Sequence, residues 1–269
     1  MPVVFACSVS HTPGIRAWPE APDADIKDRF FSEYHNLGEE LQAANPDAIL
    51  IISSEHFANF FLDGMPAFTI GQGQSHFGPI EPWLKVEQGH SPGNPELAQR
   101  LIDASYETGF EIHYSHELKL DHGTMVPLSF LDPDRSLPVV PLIVNCMTFP
   151  MPLPSRCYEL GRTLGVALEQ NKCRVAIVAA GGLSHAPGER THGNIDTDFD
   201  QEFLRRLCAG DGKEITNYTD DEMTERGLGT HELRTWIMLA GICPERSAKV
   251  LFYEPILPWA TGCSLLKYS

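Results

Sequence analysis

Short apolar runs alternate along the chain with longer segments in which apolar residues recur every three or four positions. Short apolar runs bounded by turn residues are typical of buried strands, and the wider spacing is typical of helices that cover a sheet. The pattern predicts strands, in chain order, at 3–9, 48–53, 67–71, 110–115, 137–144, 174–180 and 250–253. It predicts helices within 23–44 and at 95–108, 155–170, 198–209, 220–226 and 230–241. This alternation predicts an α/β fold with a central, mostly parallel sheet flanked by helices.

Segment 73–95 breaks the pattern, because it is rich in Gly, Pro and His and has no periodicity. We predict an irregular loop of the kind that often shapes a binding site. Beyond residue 253 the chain is interrupted by Pro and Gly, which predicts an irregular tail. With no internal repeat, low-complexity tract or linker in the sequence, we expect residues 1–269 to form a single domain.

Composition narrows the classes of partner. The formal net charge of −16 argues against nucleic acid or an anionic membrane as a general partner, because both favour a basic surface. The first ten residues contain neither a basic segment nor an apolar run long enough for a signal peptide or membrane span, so we expect a cytoplasmic protein. The seven cysteines are scattered and form no C-x-x-C pair, which indicates reduced, mostly buried thiols rather than disulfides or a zinc site.

Three of the apolar runs lead into a histidine. The first is followed by "SHTPG" with His11, the second by "SSEHFANFF" with His56, and the run at 174–180 by "GGLSH" with His185. In an open α/β sheet, ligands bind outside the carboxyl ends of the parallel strands, so these imidazoles are expected around one crevice. Either of the first two histidines alone would more simply be a turn or capping residue, but three together favour a functional site.

Further candidates lie outside the strands. In "LDHGTMVPLSF", His122 is placed at a helix start facing a pocket, with the alternative that Asp121 merely caps that helix. Two histidines and one carboxylate make the common oxygen-activating iron site, and Glu232 and Glu254 both remain candidates for the carboxylate. His231 and Glu232 lie about 100° apart on a helix, so we expect His231 to support the site rather than bind the same metal.

Together these segments resemble the class III, LigB-type extradiol ring-cleavage dioxygenases. The resemblance covers nearly the whole chain and is nearest to the 2,3-dihydroxyphenylpropionate and protocatechuate 4,5-dioxygenase groups. It rests on "SHTPG", "SSEHFANFF", "MPAFTIG", "LDHGTMVPLSF", "GGLSHAPG", "GTHELRTW" and "YEPILPWATG", which occur in the family's order.

The resemblance implies Fe(II) as cofactor, held by His11, His56 and Glu232. It implies that His185 is the acid/base histidine and that His122 assists substrate deprotonation. The implied substrates are O2 and a small aromatic diol, or an aminophenol or hydroxypyridone-like ring, and the implied assembly is a homo-oligomer.

Some features keep alternatives open at this point. Arg16 and Arg190 follow His11 and His185 closely, and each is either a contact for a substrate carboxylate or a solvated surface charge. No role follows for Thr230. A non-catalytic binding protein of the same fold and a zinc-dependent hydrolase are the competing functions, since His and Glu ligands also suit zinc.

Overall fold

The structure, a computed structural model, describes residues 2–210 and 212–269. The strands are, in chain order, β1 (Val3–Ser10), β2 (Ala48–Ser54), β3 (Phe68–Gly71), β4 (Ser75–Gly78), β5 (Gly89–Pro92), β6 (His113–Ser115), β7 (Val139–Val144), β8 (Val175–Gly181), β9 (Ala248–Ile256) and β10 (Thr261–Tyr268). The α-helices are α1 (Gly14–Ala17), α2 (Ala24–Ala43), α3 (Pro95–Glu107), α4 (His122–Leu131), α5 (Pro154–Glu169), α6 (Thr197–Ala209), α7 (Gly212–Ile215), α8 (Asp220–Thr224) and α9 (Leu233–Ile242). The same ranges contain 3-10 helices at Leu228–Glu232 and Leu257–Trp259.

One large sheet organises the molecule, with strand order β6-β3-β7-β2-β8-β1-β10-β9. Its four central strands, β7, β2, β8 and β1, run parallel to one another. Antiparallel pairing joins β3 to β7 on one side and β10 to β1, then β9 to β10, on the other. The predicted α/β fold with a mostly parallel central sheet is therefore confirmed, and the carboxyl ends of β1, β8 and β2 lie side by side.

Helices cover both faces of the sheet, as β2 illustrates. Its seven residues are all buried. Leu50 and Ile52 pack into the core formed with α3, α5 and α9, whereas Ile49 and Ile51 pack into the opposite core formed with α2 and α4. Alternate residues of a strand point to opposite faces, so a continuous apolar run is what a strand buried on both sides requires. None of the helices in the described ranges is both long and apolar enough to span a lipid bilayer.

The structure differs from the sequence predictions in five segments. The tail predicted to be irregular contains β10, whose predecessor β9 is longer than the predicted strand at 250–253. The loop predicted over 73–95 contains the hairpin of β4 and β5, and only 113–115 of the strand predicted at 110–115 is extended. The helix predicted at 230–241 is divided into a 3-10 turn and α9. The edge strands β6 and β9 and the hairpin of β4 and β5 have weak apolar patterns because part of their surface faces solvent, so periodicity detects them poorly.

Candidate functional site

Three histidines lie where adjacent parallel strands end. His11 directly follows β1, His56 lies two residues beyond β2, and His185 lies four residues beyond β8. Because β2, β8 and β1 are neighbours in the sheet, their carboxyl ends open onto one crevice. The structure thus brings the three histidines together around a single carboxylate, which belongs to Glu232.

Glu232 ends the 3-10 turn that leads into α9, and its side chain is only 4% exposed. Its Oε1 lies 3.1 Å from His56 Nε2, and both its oxygens lie 3.3 Å from His11 Nε2. His185 Nε2 lies 3.7 Å from Oε2. The carboxylate also accepts hydrogen bonds from Ser54 Oγ at 2.9 Å and from the backbone N–H of Gly182 at 2.6 Å. Residues distant in sequence therefore converge on this one side chain.

The arrangement fits a bound metal ion. Adjacent ligands with bonds of about 2.1 Å in an octahedral site lie roughly 3 Å apart, and the distances between Glu232 oxygens and the two Nε2 atoms match that spacing. His11 Nδ1 is buried and has no hydrogen-bond partner. Two imidazoles and one carboxylate constitute the donor set of non-haem iron sites with open positions.

His122 is the first residue of α4 and lies against the same cluster. Its ring centroid is 4.1 Å from that of His56 and 5.8 Å from that of His11. His11, His56 and His122 offer ligand nitrogens that all lie within 4.8 Å of one another, so these three residues could also hold a metal ion. His11 and His56 are common to both possible ligand sets, which differ in whether Glu232 or His122 is the third ligand.

The Asp121 side chain contacts the histidine cluster and does not cap α4. Its side chain makes no capping hydrogen bond to α4, so the interpretation of Asp121 as a simple cap is wrong. Instead its Oδ2 lies 2.9 Å from His56 Nδ1. A carboxylate can only accept, so this nitrogen carries a proton, and a metal ion bound at Nε2, which faces Glu232, would take the place of a proton there. The sequence offered Asp121 only as a capping residue, and its contact with His56 was not predicted.

Burial and neighbouring charges shift the pKa values of the clustered side chains in opposite directions. Burial alone would raise the pKa of Glu232, but His11, with His185 and His56, holds it well below its usual value. Burial likewise would raise the pKa of Asp121, but His56 lowers it to about 2. Burial lowers the pKa of His11, whereas the carboxylates of Asp121 and Glu232 overcome burial and raise the pKa of His56 well above its usual value. Both acids are therefore anionic near neutral pH, which suits a cation site.

Two glycines allow the backbone to approach His185. A Cβ on Gly182 would lie 2.6 Å from a carbon of the His185 ring, and one on Gly229 would lie 2.2 Å from its Nε2. His185 Nδ1 lies 2.8 Å from the carbonyl oxygen of Leu183, which fixes the proton on Nδ1 and leaves Nε2 facing the site. Thr230 Oγ1 accepts from the His185 backbone N–H at 3.4 Å. Thr230 therefore holds the loop after β8 that carries His185, a contact that the sequence did not predict.

Four other candidates lie elsewhere. Glu254 is on β9 and pairs with Arg29 at 2.7 Å, which leaves Glu232 as the carboxylate of the cluster. His231 does not support the site as expected, since its ring bonds to Arg234 and Thr224. Arg16 donates to Ser129 and stacks on Phe130, and Arg190 is exposed.

Two exposed tryptophans lie on the side of the cluster formed by His122. The Trp83 ring centroid lies 6.5 Å from that of His122, and Trp83 stacks on Trp18, also at 6.5 Å. Trp83 is 49% exposed and Trp18 is 60% exposed, which is unusual for the largest apolar side chain. A flat aromatic wall next to the histidines suits the binding of a flat ring.

Comparison with models of protein families identifies the family of this chain. The model of the family described as the catalytic LigB subunit of aromatic ring-opening dioxygenase matches residues 5–262. The match spans nearly the entire chain, and the chain belongs to this family of dioxygenases.

Individual relatives are named as dioxygenases too. The chain is 29% identical to a 2,3-dihydroxyphenylpropionate/2,3-dihydroxicinnamic acid 1,2-dioxygenase of Photorhabdus laumondii, with 99% of this chain and 97% of that protein covered. It is 26% identical to the protein of the same name from Mycolicibacterium smegmatis, with 88% of each covered. The crystal structure of an uncharacterized Escherichia coli K12 protein is similar, with TM-score 0.58, 16% identity and coverage of 98% of this chain and 99% of that one, which shows a shared fold.

Proposed function

We propose that this chain is an Fe(II)-dependent extradiol dioxygenase that opens the ring of a small aromatic diol with O2. The observation that carries the proposal is the convergence of His11, His56 and Glu232 on one point, with His122 and His185 beside it. Membership of the ring-opening dioxygenase family supports the reaction class. Because the proposed site draws on residues from 11 to 232, we infer that residues 1–269 act as one catalytic domain.

In this proposal His11, His56 and Glu232 hold the metal ion, and His122 is left free for proton transfer. The choice of Glu232 over His122 as third ligand rests on its anionic charge and on its contacts with both other ligands. When bound, ferrous iron in such a site offers adjacent open positions to the diol and O2, and it lowers the cost of removing a phenolic proton. Gly182 and Ser54 fix the carboxylate through their hydrogen bonds.

His122 and His185 handle the protons. Each has an acceptor at Nδ1, Glu81 for His122 and the carbonyl of Leu183 for His185, so in the neutral ring of each the proton lies on Nδ1 and the lone pair on Nε2. His122 takes a proton from the phenolic oxygen, and His185 takes up and returns a proton as the ring opens. The ring carbon–carbon bond beside the diol breaks, both atoms of O2 join the two separated carbons, and O2 is reduced as the ring is oxidised. The protons that His122 and His185 have accepted are returned to the product.

The substrate class follows from the chemistry and from the relatives. The relatives are named for a catechol with a three-carbon acid side chain, so 2,3-dihydroxyphenylpropionate is the first compound to test. Trp83 and Trp18 provide the aromatic surface against which the ring packs. Protocatechuate, catechol, 2-aminophenol and a hydroxypyridone complete a panel that varies the side chain and the second donor atom.

The deciding experiment is anaerobic reconstitution with Fe(II), metal analysis, and an oxygen-electrode screen of that panel. We expect one O2 consumed per diol opened, with a yellow product. A protein that holds iron but consumes no O2 with any member of the panel would contradict the proposal. Ester or amide hydrolysis without O2 would identify a zinc hydrolase, and the lack of metal binding and turnover would identify a binding protein.

A further inference from the structure

Glu81 makes two hydrogen bonds to a single residue of the site. Its Oε1 lies 2.7 Å from His122 Nδ1, and it also accepts from the backbone N–H of His122 at 3.1 Å. The two side chains are similarly shielded, 14% and 13% exposed. Glu81 lies between β4 and β5, 41 residues before His122, so this contact is built by the fold and not by local sequence.

The contact determines which nitrogen of His122 is free. A carboxylate accepts but does not donate, so the Nδ1 that faces Glu81 must carry the proton. Neutral imidazole has one N–H, which leaves a lone pair on Nε2. The second bond, to the backbone, fixes the carboxylate relative to the first turn of α4, so the carboxylate, ring and helix start form one rigid unit.

The same arrangement occurs at the neighbouring histidine, where Asp121 holds His56 Nδ1 at 2.9 Å. His56 and His122 lie ring to ring, each with its own carboxylate behind it. Trp83 follows Glu81 by two residues and lies against the His122 ring.

We propose that Glu81 is a positioning residue that holds His122 in the tautomer and orientation needed to accept a proton from the substrate. The inference rests on the proposed function, in which His122 is the proton acceptor. Without Glu81 the ring can rotate, and the proton can move to Nε2, so a fraction of the molecules would present a donor where an acceptor is needed. In the proposal, substrate affinity depends mainly on the metal ligands and on the tryptophans, and Glu81 is neither, so its loss should change affinity little.

The test compares Glu81→Gln and Glu81→Leu with Glu87→Gln, an exposed acid on the same segment. Gln keeps one acceptor oxygen, and Leu keeps the approximate shape without an acceptor. We expect kcat to fall at least about tenfold for Gln and about a hundredfold for Leu, with KM changed less than about threefold. Iron content should match the wild type, and Glu87→Gln should leave all three quantities unchanged.

A second readout needs neither iron nor turnover. Nitrogen-15 NMR of the imidazoles in the metal-free protein reports the tautomer of His122 directly. We expect the Nδ1–H form in the wild type and in Glu87→Gln, and a substantial Nε2–H population in Glu81→Leu. An unchanged tautomer in Glu81→Leu, or a kcat equal to that of Glu87→Gln, would overturn the inference. If the wild type shows the Nδ1–H form but cleaves no ring, the proposed function fails while the positioning contact stands.

Discussion

At the scale of single residues, three of the four clustered histidines have a specific acceptor at Nδ1, whereas His11 Nδ1 has no hydrogen-bond partner. Asp121 faces His56 Nδ1, Glu81 faces His122 Nδ1, and a backbone carbonyl faces His185 Nδ1. These contacts place the protons on the outer nitrogens, so the inner Nε2 atoms are available for a metal ion or for a substrate proton. The division between ligands and proton carriers is the part of the proposal that substitutions test most directly.

Replacing His185 by Gln should separate metal binding from chemistry. The imidazole is not among the proposed ligands, so we expect the iron content to remain, while ring opening falls by about a hundredfold or more because the proton carrier is lost. Iron analysis and oxygen uptake give the two quantities, and His192→Gln, at an exposed position, is the matched control. Loss of iron with unchanged activity per iron would instead make His185 a ligand.

Replacing Asp121 by Asn should weaken the metal site without removing a ligand. An amide cannot match the charge of the carboxylate behind His56, and such outer partners typically contribute about 10- to 100-fold in metal affinity. An anaerobic Fe(II) competition titration measures the change. Asp134→Asn, an exposed acid beyond α4, should bind iron as the wild type does, and equal affinity in both variants would refute the role of Asp121.

At the scale of elements, Asp200 on α6 connects the loop after β8, which carries His185, to the sheet. Its carboxylate is fully buried, accepts from the backbone N–H of Ser184 at 2.7 Å and from the Tyr253 hydroxyl at 2.9 Å, and thereby joins α6, the loop after β8, and β9. Burial raises the pKa of Asp200 to about 7, against the lowering effect of these hydrogen bonds. Ionisation of Asp200 therefore lowers the free energy of unfolding within the physiological pH range.

The raised pKa of Asp200 predicts the direction of a pH effect. The folded state holds this proton more tightly than the unfolded state, so the contribution to stability is fully present below about pH 4 and is lost as the pH rises through about 7. The Asp200→Asn variant lacks this titrating group, so we expect its free energy of unfolding to fall less between pH 5 and 8 than that of the wild type. The two decreases should differ by on the order of a few kcal/mol at most. Urea unfolding at several pH values measures this difference, and parallel curves for the two proteins would show that Asp200 does not titrate as inferred.

The elements also show where sequence reasoning succeeded. The strands ending at His11, His56 and His185 were predictable because strands buried on both faces are continuously apolar and parallel neighbours share a carboxyl edge. Glu81 was not predictable, because its segment has no periodicity and its partner lies 41 residues away. Strand β10 was missed because the Pro and Gly before it suggested a tail, although tertiary pairing with β1 and β9 holds it extended.

At the scale of the whole molecule, a bound metal would link three separate parts of the fold. The proposed ligands follow β1, follow β2 and precede α9, so the complete set exists only in the folded state. Binding to the folded state alone stabilises it by mass action. The formal charge of −16 adds self-repulsion that a bound cation reduces.

Metal removal should therefore lower the melting temperature. With free Fe(II) about 100-fold above Kd, the stabilisation is about 2.7 kcal/mol, which corresponds to roughly 5–10 °C for a chain of this size. Anaerobic calorimetry with and without Fe(II) measures the shift. Glu232→Ala should abolish it and lose turnover, whereas Glu254→Ala should retain both, and a full shift in Glu232→Ala would indicate that His122 completes the ligand set.

The position of β1 within the sheet also sets the order in which the molecule can be completed. This strand pairs with β8 and β10, which follow it in the sequence by more than 160 residues. At about 5–20 residues per second, a ribosome needs on the order of ten seconds or more to produce the first of those neighbours. Under the proposed ligand assignment, a metal ion could therefore be captured only after Glu232 has been synthesised and β1 has paired with β8.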